Sequence, residues 1–381
     1  PMIALATGLI AKGHEVTICA PSENRELAEM YQCRFIPFGP EIKKSIEENP
    51  GKQKGGVAVK FSPAKGKKFT LDQINLLPSL IADADLVLGA GIVVGVHTAA
   101  DILKVPYSLV AFYPIILGTT AEDPLKNRMM FNFGRLMLNL MMKGYVNKVR
   151  RQRRLVPVND IWAHWMGENV IVACDREINA AREKTAFDFT QTGFMLLPSK
   201  RELPKEVKDF LNAGSPPVYI GFGSNPITDT GKYTAMFEQV REVTGQRLII
   251  SKGWAGFPGN SSNDILYVDD MPFELLFPRL AAAIYHGGTG TMAAIARAGI
   301  LQAAFPFMGD QFDNRKQINR LGLGPNTCDF KEITAEAVSA AINECISNDT
   351  YRKNAAELVR KLKDVNGIEL TVRVIEGILK A

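Results

Sequence analysis

Cysteine is scarce in this chain, and histidine scarcer. The five cysteines (Cys19, Cys33, Cys174, Cys328, Cys345) are scattered and include no Cys-x-x-Cys pair. That argues against a disulfide framework or a thiolate zinc site and fits a reducing, cytoplasmic setting. Of the four histidines, His14 sits between a helix stop and a strand and reads as structural, while His97 and His164 have no partner at ligand spacing. No apolar run reaches the ~18 residues that a membrane span needs. The best stretch, Phe131 to Met142, is short and broken by Asn132, Arg135 and Asn139. No signal-peptide pattern is present. One-sided charge is missing too. Lys+Arg 45 against Asp+Glu 40 leaves +5 over 381 residues, which is no nucleic-acid footprint. No nucleophile elbow, Walker A loop or His-Glu-x-x-His pattern occurs, and no repeat of solenoid period.

What remains is an ordinary globular composition, long enough for two domains. Strand-like runs recur at Val16–Ala20, Leu86–Leu88, Tyr107–Phe112, Asn169–Ala173, Val218–Phe222, Arg247–Ser251, Ile265–Val268, Ala282–Tyr285 and Leu301–Phe305. Several are apolar throughout, as parallel strands covered on both faces are, and helical patterns separate most of them. That alternation implies βαβ units and doubly wound α/β sheets. The polar, proline-bearing stretch around Ser199 divides the chain into domains at 1–198 and 199–366, followed by a terminal helix over 367–381 expected to pack back on the first domain. Glu48 to Phe69, rich in Gly and Lys, reads as an exposed, mobile loop. The chain opens on a helix pattern behind Pro1. An α/β domain normally places a strand before such a helix, so a first strand is expected to be missing.

Near Ala282 to Ile300 the sequence reads AAIYHGGTGTMAAIARAGI. A strand runs into His286, then Gly287, Gly288, Thr289, Gly290 and Thr291, then a helix expected to begin near Thr291. Backbone N–H groups bared by glycines at a helix N-terminus bind anions, and His286, Thr289 and Thr291 add side-chain donors. The same residues would also make a plain glycine-rich turn with a helix cap. Gly223 and Ser224 follow another strand on the same sheet edge, and Asp310 and Gln311 follow a third. In open α/β sheets, ligands bind outside the carboxyl ends of the strands. Asp310 and Gln311 suit hydroxyl groups, although Asp310 could instead cap a helix. Phosphate donors beside polyol binders suggest a sugar nucleotide.

The runs YIGFGS, SKGWAG, YVDDMPFELLFPRLAAAIYHGGTGTMAAIARAGILQAAFPFMGDQ and RLGLGP resemble the C-terminal half of the glycosyltransferases of family 1, those of sterols and glycopeptide antibiotics among them. PMIALATGLIAKGHEVTICAP and DFTQTGFMLLP extend the likeness over nearly the whole chain. The resemblance implies the GT-B fold, two facing Rossmann-like domains with a cleft between them, and an inverting transfer that needs no metal or cofactor. The donor would be a UDP- or dTDP-sugar, with UDP-glucose the first expectation. His286 to Thr291 would hold its diphosphate and Ser224 would touch the nucleotide. Asp310 and Gln311 would read the sugar, and Val268 and Met271 would flank the base, with Trp254 nearby unless it is only a loop anchor. Plant relatives carry a ribose-binding Glu where this chain has Ala294, and many continue the Asp-Gln pair differently from Phe312-Asp313-Asn314. The family's base, an Asp or His, would precede Pro1.

By the same resemblance His286 would stabilise the leaving diphosphate, and helices within Asn127 to Arg154, rich in Met, Leu and Phe, would contact a lipophilic acceptor. A core-packed helix would look the same. The basic run Lys148–Arg154 could approach anionic lipid head groups at a membrane's inner face or be a solvated helix end. No Asp-x-Asp pair precedes a donor loop: Asp269 and Asp270 are adjacent, and Ala82–Asp85 lies in the other half. Leu86 to Gly95 has dinucleotide-like glycines, but the next strand ends Ala111 to Pro114 without the acid that NAD(P) recognition needs. A sugar-nucleotide epimerase and a silent sugar-nucleotide binder are the remaining alternatives.

Overall fold

The structure is a computed structural model and describes residues 1–41, 63–118, 124–182, 185, 187–225, 227 and 229–380. The chain divides into two units. One holds Pro1–Ile42, Phe61–Leu197 and Asn366–Ala381, and the other holds Pro198–Val365.

The first unit opens with α1 (Met2–Ile10), which starts behind Pro1 and gives way to a turn at Gly13, where φ is +90°. Proline costs nothing at that place, because N–H groups of a first turn have no intrahelical acceptor. Next come β1 (Thr17–Ala20), α2 (Arg25–Met30), β2 (Arg34–Pro37), α3 (Pro63–Leu80), β3 (Val87–Ala90), α4 (Val96–Leu103), β4 (Tyr107–Ala111), α5 (Pro124–Gln152), α6 (Ile161–Met166), β5 (Val170–Val172) and β6 (Phe189–Gln191). Strands β3 to β6 form a parallel sheet in chain order, and β1 and β2 form a separate parallel pair. Cys19 of β1 packs in the same apolar cluster as Val87 of β3, so both sheets share a core although no described strand joins them.

The second unit runs α7 (Lys205–Asn212), β7 (Val218–Gly221), α8 (Thr230–Thr244), β8 (Leu248–Ser251), β9 (Ile265–Val268), α9 (Phe273–Leu276), β10 (Ala282–Tyr285), α10 (Thr289–Ala298), β11 (Leu301–Ala304), α11 (Gln311–Arg320), α12 (Ala335–Ser347) and α13 (Asp349–Leu362). Its five strands are parallel in the order β11-β10-β7-β8-β9. Every residue of β7, β10 and β11 is buried, as strands covered on both faces require. The last helix, α14 (Gly367–Lys380), belongs to the first unit. It lies so close to α1 that a Cβ on Gly8 would meet Ile368 Cγ2 at 2.4 Å. The Thr192 and Thr371 hydroxyls share a buried 2.8 Å hydrogen bond, and His14 Nε2 sits 3.4 Å from Glu376 Oε1.

Two strands escape the sequence reading. β2 and β6 are short and have no buried residue, so neither makes a continuous apolar run. The proposed loop at Glu48 to Phe69 is corrected in part: from Pro63 onward it is helix α3, and residues 48–62 lie outside the described residues.

Candidate functional site

In the second unit, register places Tyr285 between Gly221 of β7 and Ala304 of β11. The residues after these three strands therefore emerge side by side on the carboxyl edge. His286 is the first residue past β10. Its ring is held between two glycines: a Cβ on Gly223 would lie 2.8 Å from His286 Cε1, and one on Gly288 would lie 2.3 Å from Nε2. Nδ1 is buried without a hydrogen-bond partner. Burial pushes the imidazole pKa down to about 4, against a weaker opposing pull from the Gly221 carbonyl. The ring is neutral at pH 7.

Helix α10 begins at Thr289, two residues before the expected start, and no side chain caps it. The N–H groups of its first turn have no intrahelical partner. Gly287 has φ +83°, and a Cβ there would press on the Gln311 carbonyl at 3.1 Å and Ala304 Cβ at 3.4 Å. Only glycine fits that turn. The early helix start changes what Thr289 does. Its side chain is buried, and Oγ1 donates to Asp310 Oδ2 at 2.8 Å, so the hydroxyl is engaged inside the protein. Thr291 and Gly290 are left toward the surface.

Asp310 stands at the head of α11 without capping it through its side chain. Burial raises its carboxyl pKa, with the Thr289 hydroxyl drawing it back and Asp313 pushing it further up. Gln311 Oε1 accepts from the Phe307 and Met308 N–H groups at 2.8 and 3.2 Å, folding the β11–α11 loop onto its own helix. Phe307 stacks on Phe330 with centroids 3.6 Å apart. Asn314 is the residue that motif reasoning passes over. Almost fully buried, it donates to the Gly287 carbonyl at 2.7 Å and to Thr289 Oγ1 at 3.0 Å. Its one signal in the sequence is an amide one helical turn after Asp310.

Ser224 is exposed at the end of β7. The β8 loop crosses above it: Trp254 N donates to the Gly223 carbonyl at 3.2 Å, and Gly253 comes so close that a Cβ would meet the same oxygen at 2.4 Å. Trp254 is 36% exposed, so its backbone anchors the loop while the indole stays accessible. Val268, buried at the end of β9, accepts from Lys252 N at 2.8 Å, and Met271 beyond it is half-buried. These two are not brought to His286. β9 is three strands from β10, about 14 Å along the edge. Asp269 and Asp270 pair with Lys252 and Arg201 at 3.4 and 2.6 Å.

A second cluster lies in the first unit and corrects the reading that His97 and His164 lack partners. Helices α4 and α6 bring them together with Asp101, their ligand atoms within 4.8 Å of one another. The imidazoles stack at 4.2 Å. Burial, then the nearby His97 and Arg150 charges, push the His164 pKa down to about 2. Arg150 already supplies the cation there: Nη1 donates to Asp101 Oδ2 at 2.5 Å and to Thr98 Oγ1 at 3.1 Å, and lies 3.3 Å from His164 Nε2. Replacing it by Met strands the half-buried Asp101 and should cost about 2 kcal/mol, read as a lower urea midpoint.

Helix α5 resolves the Asn127 to Arg154 stretch into two faces. Leu138, Met142, Tyr145 and Val149 join the core, and the opposite face stays exposed.

Known proteins share this architecture. Residues 255–366 match the family model described as erythromycin biosynthesis protein CIII-like, C-terminal domain. The chain is 29% identical over 377 residues to a vancomycin aglycone glucosyltransferase of Amycolatopsis orientalis, covering 93% of this chain and 89% of that one. It is 26% identical over 407 residues to a sterol 3-beta-glucosyltransferase of Arabidopsis thaliana, covering 98% and 62%. Among solved structures, a spinosyn rhamnosyltransferase complexed with thymidine diphosphate aligns over 98% of this chain and 95% of its own, with TM-score 0.68 and 16% identity.

Proposed function

Since the chain belongs to the family 1 glycosyltransferases of GT-B fold, we propose that it moves a hexose, glucose first, from a UDP- or dTDP-sugar to a hydroxyl of a lipophilic acceptor such as a sterol or polyketide. One observation carries this: the order of the loops along one sheet edge. From β11 to β9 the edge offers Asp310 and Gln311, then the His286 turn, then Ser224, then Trp254, then Val268 and Met271. A nucleotide sugar is a linear molecule of hexose, diphosphate, ribose and base, and its parts meet those groups in that sequence.

The acceptor hydroxyl attacks the anomeric carbon from the face opposite the diphosphate and inverts it. Its proton passes to a general base that we assign to none of the described residues. The bond to the diphosphate breaks as negative charge gathers on that group. The uncapped first turn of α10, through the Gly290 and Thr291 N–H groups, and His286 meet that charge, the work a metal does elsewhere, so we propose a transfer that needs none. Thr289 and Asn314 act behind them, holding Asp310 and the Gly287 carbonyl in place. The acceptor class is supported by relatives whose names specify a glycopeptide aglycone and a sterol. A cytoplasmic setting is supported by five free thiols.

The test is a nucleotide-release screen of UDP-glucose and dTDP-sugars against sterols, polyketides and flavonoids. The product anomer is assigned by NMR, and the rate is repeated with a chelator. Epimerised sugar without any acceptor would favour an epimerase, and donor binding with no turnover a silent binder.

A further inference from the structure

Helix α5 carries an exposed apolar face and a basic end that the donor site does not account for. One side of the helix is fixed: Arg135 pairs with Asp160, and Asn139 Nδ2 donates to Asp160 Oδ1 at 3.1 Å. On the other side Met129, Met130, Phe133, Leu136, Leu140 and Met141 are between 52% and 70% exposed. Positions 129, 133, 136 and 140 follow the i, i+4, i+7, i+11 spacing of a single helical stripe. From 129 to 141 it runs about 18 Å. Past the buried Asn147, which donates to the Val158 carbonyl at 2.9 Å, the helix exposes Lys148 and Arg151, and Arg153 and Arg154 follow past its end.

Charge decides what covers this stripe. Residues 124–159 contain nine Lys and Arg and no Asp or Glu. Other surface helices of the molecule alternate signs in i, i+4 pairs: Arg25 with Glu29, Lys205 with Asp209, Lys361 with Glu357. α5 has no such pair, because it has no acid to make one. An apolar acceptor calls for the stripe but not for the basic run. A protein partner or a second copy calls for neither sign so uniformly. An anionic bilayer calls for both at once: acyl chains for the stripe, lipid phosphates for the lysine and arginines. Methionines suit such a surface because their unbranched side chains adapt to a fluid neighbour. No helix among the described residues is long and apolar enough to cross a membrane.

We propose that α5 lies flat on an anionic phospholipid surface, with its methionine, leucine and phenylalanine stripe among the acyl chains and Lys148, Arg151, Arg153 and Arg154 on the phosphates. The proposal is independent of the donor site in the second unit.

Flotation of the whole chain tests it, using phosphatidylcholine vesicles with and without about one-third phosphatidylglycerol. Binding should be at least about ten-fold stronger to the anionic vesicles and should fall steeply toward 0.5 M salt, as screening requires. Phe133→Ser with Leu140→Ser, and separately Lys148→Gln with Arg151→Gln, should each lower binding about ten-fold or more with no change in melting temperature, since all four side chains are exposed. Three results overturn it: no flotation at low salt; flotation equal in both variants and the parent; or flotation unchanged while the apolar variant alters sedimentation velocity or raises KM for an apolar acceptor. The last would assign the stripe to self-association or to the acceptor.

Discussion

His286→Ala should lower kcat about 10²–10³-fold, the loss seen when one preorganised donor to a developing anion is removed. It should also weaken UDP-glucose binding about ten-fold or more. The fold should survive, because the ring lies past the end of β10 and its removal costs only the contact with the Gly221 carbonyl. Without ligand the ring is neutral, its pKa pushed down to about 4 by burial. A diphosphate beside it favours the protonated form and raises that pKa. UDP-glucose should therefore bind with proton uptake, and its affinity should rise as pH falls from 8 toward 5. Calorimetry in two buffers of different ionisation enthalpy reads that proton directly, and in His286→Ala the difference should vanish. Unchanged turnover and nucleotide affinity in the variant would remove His286 from the leaving-group site. Retained affinity with lost turnover would keep it there as a group that acts only on the transition state.

That site was legible in the sequence to the extent that it is local. Consecutive residues make the His286–Thr291 turn, and continuous apolar runs make β7, β10 and β11, so strand ends and turn chemistry could be read together. What links distant segments could not. Thr289 looks like a donor to a ligand until α11 delivers Asp310 to it, and Asn314 gains its purpose only when its helix lies under the Gly287 carbonyl. The start of α10 is ambiguous in the sequence because glycine and threonine both serve as N-caps, so the run offers several starts, and the chain uses Gly288. β2 and β6 were missed for a packing reason. Neither buries a residue, and Arg34 and Thr190 stand exposed, so no apolar run marks them. In the Asp101, His97, His164 and Arg150 cluster only the i, i+4 pair of His97 and Asp101 is legible along the chain, and α5 and α6 bring Arg150 and His164 to it from distant positions.

The same cluster sets the second large effect, the loss of stability in mild acid. An unfolded histidine titrates near 6.5, whereas His164 in the folded chain titrates near 2 and His286 near 4. Between pH 6.5 and 4 the unfolded chain takes up protons that the folded chain refuses, so stability falls as pH falls across that window and is fully retained above it. Each group contributes up to about 1.4 kcal/mol per pH unit. From pH 7 to pH 4.5 the two together should remove on the order of 5 kcal/mol, a large share of a typical domain's stability. Carboxylates held below their ordinary range begin to weaken the fold only lower down, and Asp310, whose carboxyl burial raises, opposes part of the histidine loss. Urea midpoints at pH 7 and 4.5 measure the loss. His164→Gln, whose amide oxygen can still accept from Thr98 and Arg150, should make the pH dependence about half as steep, and adding His286→Ala should nearly flatten it. A midpoint that does not move between the two pH values, or moves equally in both variants, would mean that neither ring is held neutral by the fold.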